Sequence, residues 1–152
     1  MKRSTWIVAG LVLAAAALAA VPARASREGV WLALRDGTRV KTADNDAVYV
    51  VDGGRLRHLT YEAYTALYAD WGGIVFVESV PSSLVGERVD TKTRLVKSAD
   101  KAATYLVDGG GTTRRLIDNR WAFETAWGFT WSKVQIVPQE EIDRLPDGPR
   151  IE

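Results

Sequence analysis

His58 is the only histidine in a chain of 152 residues that contains no cysteine. An imidazole can act as a general base when a second group orients it. No serine motif accompanies His58, and its neighbour is Arg57. The chain carries an internal repeat, and in its second copy the residue matched to His58 is Arg115, which cannot accept a proton at neutral pH. There is no GxSxG elbow, no phosphate-cradling P-loop and no zinc-ligand spacing. The expectation is a protein with no catalytic residues and no cofactor. Asp44-Asn45-Asp46 has the look of a calcium loop, but calcium needs several oxygen ligands at fixed positions. The matching Asp100-Lys101-Ala102 lacks most of them. No metal site is expected, and Asp44 and Asp100 are expected to close Asx-turns beside paired Lys41 and Lys97.

Two other sets of residues suggest binding. Arg55, Arg57 and His58 in one copy, and Arg114 and Arg115 in the other, can offer donors to an anionic polymer or a partner carboxylate. Charged edge strands also discourage aggregation, and that reading stands beside the first. Phe129 and Trp131 form the second set. An aromatic pair in a loop can stack on sugar rings or dock a partner, or it can simply pack in a core. Trp71 and Trp127, each followed by glycine, are expected to be core.

These residues belong to a phrase that occurs twice. Residues 40–54 read VKTADNDAVYVVDGG and residues 96–110 read VKSADKAATYLVDGG, with ten of fifteen positions identical at an offset of 56. Such periods mark arrays of one supersecondary unit. Val48 to Val51 and Tyr105 to Val107 read as strands. Asp52-Gly53-Gly54 and Asp108 to Gly111 read as hairpin turns. Return strands follow, with Leu56 on one face and Arg57 and Leu59 on the other. Thr60, and Asp118 or Asn119, are placed to cap helices. The first helix should bury Tyr61, Tyr64, Leu67 or Tyr68, and Trp71, and end at Gly72-Gly73. The second should bury Phe123 and Trp127. Strands at Ile74 to Val77 and Val134 to Val137, the latter mostly inward, and a short helix from Gln139 to Arg144 complete the pattern. The predicted fold is α+β: two pseudo-symmetric β-β-α-β(-α) repeats packed together. Neither 56-residue unit buries enough surface to be secure alone.

Residues 1–25 read as a secretory signal: Lys2 and Arg3, an apolar run, Pro22, and Ala23-Arg24-Ala25 for cleavage. A lead strand is expected over 26–36, repeat 1 over 37–89, repeat 2 over 90–148 and a tail over 149–152. Removing Lys2, Arg3 and Arg24 from 20 basic residues leaves 17 against 19 acidic ones, a net charge of −2. Overall charge therefore does not predict nucleic-acid binding. An exported chain, extracellular, at the cell surface or periplasmic, is expected. It touches a membrane only if the leader stays uncleaved.

The run Tyr105-Leu106-Val107-Asp108-Gly109-Gly110, then Arg114 to Ile117, Phe123, Trp127 to Val134 and Val137, resembles a short repeat of secreted and surface bacterial proteins. The resemblance implies an accessory or surface role and carries no site residues. The expected function is a non-catalytic module that binds a wall polymer, a glycan or a surface protein. The alternative is a structural subunit that can oligomerise.

Overall fold

The computed structural model describes residue 31 and residues 33–152. The expected leader and most of the lead segment lie outside the described residues. Where the lead segment is described, it is not a strand: Trp31 and Ala33 have helical backbone. Trp31 is half-buried against Val40, Val51 and Leu56.

The fold is α+β. In the first half, β1 (Arg39–Thr42), β2 (Val48–Asp52) and β3 (Arg55–Leu59) form an antiparallel meander. α1 (Tyr61–Leu67) follows, and β4 (Val75–Val77) returns parallel to β1. In the second half, β5 (Arg94–Lys97), β6 (Thr104–Asp108) and β7 (Thr113–Ile117) form the next meander. β8 (Gln135–Ile136) pairs parallel to β5, and α2 (Gln139–Asp143) closes the chain's helical content. The sheet orders are β3-β2-β1-β4 and β7-β6-β5-β8.

The hairpins differ by two residues. Asp52 pairs with Arg55, whereas Asp108 pairs with Thr113 across the longer glycine turn. Val50 therefore lies opposite Arg57, and Leu106 lies opposite Arg115. Tyr49 and Tyr105 lie opposite His58 and Leu116. Arg115 thus corresponds in register to Arg57, and His58 to Leu116, which corrects the expected match of His58 with Arg115.

Thr60 caps α1 by accepting from the Ala63 amide. The helix stops at Tyr68, whose extended backbone breaks it before the glycines are reached. Asn119 accepts from the Ala122 amide in the same way. Beyond this cap the backbone makes a π-helical turn over Ala122–Ala126, not an α-helix. Gly37 explains how closely the halves approach at this point. Its φ is +87°, and an added Cβ would sit 2.3 Å from the Ala126 carbonyl oxygen.

One apolar cluster draws on both halves: Val50, Leu59, Tyr64 and Leu67 with Leu95, Leu106, Phe123 and Trp127. The Thr130 amide donates to the Leu67 carbonyl across it. The chain end also belongs to this core. Ile151 is 1% exposed, and its amide donates to the Leu116 carbonyl as that of Val89 does to His58. Residues 149–152 are therefore not a loose tail. Ile142 is buried on α2 as its spacing predicts, and Leu145 packs beside it.

Candidate functional site

The expected arginine patch is largely turned inward. β3 and β7 alternate their side chains, so Arg57 shares a face with buried Leu59, and Arg115 with buried Ile117. The inward faces of β2 and β6 likewise carry Asp52 and Asp108 two residues after Val50 and Leu106. These four charges meet. Arg57 grips Asp108 with two hydrogen bonds, Nη1 to Oδ2 at 2.6 Å and Nη2 to Oδ1 at 2.8 Å. Arg115 grips Asp52 likewise, at 2.6 and 2.9 Å. Each half's guanidinium therefore clamps the other half's carboxylate. Links within each half close the square: Arg57 to Asp52 at 2.8 Å and Arg115 to Asp108 at 3.4 Å. Each Nε has a carbonyl acceptor, Glu87 for Arg57 and Pro149 for Arg115.

All four side chains are at most 12% exposed. Burial acts to raise the Asp52 carboxyl, but hydrogen bonds and charge from Arg115, then Arg57, outweigh it and hold its pKa below the ordinary value. For Asp108, burial is outweighed by Arg57, by the Gly109 amide and by the charge of Arg115, again leaving the pKa lowered. Burial acts to lower the Arg57 guanidinium, yet Asp108 and Asp52 together raise it. At neutral pH the square holds two cations and two anions and is neutral overall.

The remaining expected site residues are also engaged. Arg55 donates to the Ser83 carbonyl. Arg114 donates to Asp147, Asp143 and the Ile142 carbonyl. The His58 ring lies 5.5 Å from that of Tyr49. Phe129 is buried in the shared core, so it does not form an exposed pair with Trp131. Lys41 meets Asp46 at 3.4 Å, not Asp44, and the Asx-turn is made by Asn45, whose Oδ1 accepts from the Ala47 amide. Among the described residues, no group of three His, Asp or Glu gathers as a metal site.

The exposed face is aromatic and apolar. Tyr61, Trp71 and Phe76 stand out in the first half, and Trp121, Trp131 and Ile136 in the second. Register and stacking relate two pairs of them. Val40 pairs with Val75 and Val96 with Gln135, so Phe76 and Ile136 occupy the same place on strands β4 and β8. Trp71 stacks on Tyr64 with centroids 4.0 Å apart and planes at 10°. Trp131 stacks on Phe123 at 3.9 Å and 17°. Trp131, not Trp127, is therefore the counterpart of Trp71. Trp127 is buried as expected, but Trp71 is 52% exposed. Tyr61 and Ile136, expected to face inward, are exposed as well.

No family model, no curated protein and no solved structure matches the chain.

Proposed function

We propose that the chain is a non-catalytic exported binding module, made of two pseudo-symmetric copies of one unit. Its ligand is an extracellular polymer of wall or glycan type, or a surface protein. The observation that carries this reading is the repetition of one exposed patch. Trp71 and Phe76 recur in position as Trp131 and Ile136, with Tyr61 and Trp121 exposed besides, while Arg57 and Arg115 are spent on internal partners. Large apolar side chains that stay exposed together mark a contact surface. A copied unit that keeps such a patch twice fits an extended, repetitive ligand, because linked sites gain avidity without new contacts.

Co-sedimentation with purified bacterial cell walls tests the reading. The protein should pellet with walls, and Trp71→Ala combined with Trp131→Ala should leave most of it in the supernatant. Equal pelleting by the folded double variant would remove the aromatic faces from the account.

A second reading rests on a different observation. Among the described residues β4 and β8 are sheet edges, and Val75, Phe76 and Ile136 on them are exposed. Such edges can join copies of a chain laterally, which is the structural-subunit alternative. A concentration-dependent rise in mass by light scattering would favour it, and a monomer at high concentration would dismiss it.

A further inference from the structure

The two aromatic patches differ in what they leave unspent. Trp131 donates its indole N–H to Glu124 at 2.6 Å. Trp71, its counterpart, has no acceptor for that N–H among the described residues. Trp71 also borders an open groove of about 600 Å³, lined with Lys41, Asp46, Val48, Ile74 and Phe76. That volume falls within the range of about 300–1,000 Å³ usual for small-ligand sites. The second half cannot reproduce the groove. Ala102 stands where Asp46 does in the first half, and Ile136 where Phe76 does.

We infer that the groove between Trp71, Phe76, Lys41 and Asp46 binds the rings of a neutral pyranose chain. The inference rests on the binding-module reading and names its ligand and its half. A pyranose ring has apolar C–H faces and a rim of hydroxyls that both donate and accept. The groove supplies the complement of each. One face of Trp71 lies on Tyr64 and half of the residue remains exposed, so the indole can take a C–H face. Phe76, 66% exposed, adds a second plate, with the Lys41 ammonium 5.8 Å from its ring. The Trp71 N–H and Lys41 donate to hydroxyl oxygens, and Asp46 accepts from hydroxyls. Lys41 and Asp46 lie 3.4 Å apart and neutralise one another, so the rim complements hydroxyls and not a charged polymer.

Isothermal titration with chitohexaose and cellohexaose tests this. The wild-type protein should bind at least one of them saturably. Trp71→Ala should weaken binding at least tenfold and Phe76→Ala at least threefold. Phe76 is exposed enough that its replacement leaves the fold intact, which guards against a Trp71 variant that misfolds. Undiminished binding by Phe76→Ala and by folded Trp71→Ala would overturn the inference and leave the module reading in place. Wild-type protein that sediments with walls yet binds neither hexaose would also overturn it, pointing to another wall component. Wild-type protein that does neither would end the module reading itself.

Discussion

Replacing Arg57 by methionine strips Asp108 of both its clamping hydrogen bonds and leaves a carboxylate 7% exposed with the Gly109 amide and the longer 3.4 Å contact to Arg115. Two unit charges about 4 Å apart at an effective dielectric of 20 attract by about 4 kcal/mol. Breaking one side of a buried pair costs about 3–5 kcal/mol, because the survivor stays desolvated. A domain of this size holds about 5–15 kcal/mol in total, so Arg57→Met alone removes a large share of the stability. Asp108→Leu should cost a similar amount, because Arg57 is then left with Asp52, which Arg115 already holds. Made together, the two substitutions remove one cation and one anion and leave the Arg115–Asp52 clamp intact. The double variant should lie within about 2 kcal/mol of wild type, as buried pairs replaced by apolar groups often do. Urea denaturation of all four proteins gives the coupling energy, provided the slope stays constant. The expected coupling is about 4 kcal/mol or more, two losses of at least about 3 each less the roughly 2 of the double variant. Additivity within about 0.5 kcal/mol, the behaviour of independent sites, would refute the crossed square.

The same square predicts a pH dependence. Asp52 and Asp108 have folded pKa values below the ordinary one, so the folded state binds protons less readily than the unfolded chain. Their contribution is complete above about pH 5 and is lost as pH falls through about 4 towards the folded values. A urea midpoint flat from pH 7 to 5 and falling below that, with a shallower fall in the Arg57→Met, Asp108→Leu double variant, is the expected record. Gly37→Ala forces a Cβ to 2.3 Å from the Ala126 carbonyl oxygen at positive φ, and should cost about 2 kcal/mol or more, seen as a lowered Tm. Deleting Pro149 to Glu152 removes buried Ile151 and the carbonyl acceptor of Arg115. It should cost at least the roughly 2–5 kcal/mol of emptying a core aliphatic site, measured by thermal unfolding. Phe76→Ser, on an exposed edge, should change stability by no more than about 0.5 kcal/mol by the same assay.

Strand positions were legible because alternation and glycine turns report backbone geometry locally. Thr60 showed as a cap. The interlocking charges were not read, although their signal was present. Arg57 and Arg115 lie two residues before Leu59 and Ile117, and a strand position that shares a face with buried neighbours is itself buried. Charge next to a hairpin suggested a solvated edge, because one strand seen alone does not show that a carboxylate waits on the other half. The tryptophans went astray for a different reason. Trp71-Gly72 and Trp127-Gly128 look alike, but two extra residues in the second hairpin and a wider turn over Ala122–Ala126 shift the spacing. Correspondence then passes to Trp131, and a constant offset pairs an exposed indole with a buried one. The exposure of Tyr61, at the start of α1, follows from the helix being only seven residues long. It turns Ala63, Tyr64 and Leu67 inward and leaves its first position at the rim.

The exposed faces stand where they do because the two halves interlock, and hydrogen exchange measures that interlock directly. Strands β2 and β6 lie at the centre of separate sheets but bury Val50 and Leu106 in one shared core. Their slowest amides should exchange only through global opening, with the same free energy in both halves and the same sensitivity to urea. Exchange from β6 at a free energy well below that of β2, or the reverse, would mean that the halves open independently and would contradict the interlocked pair.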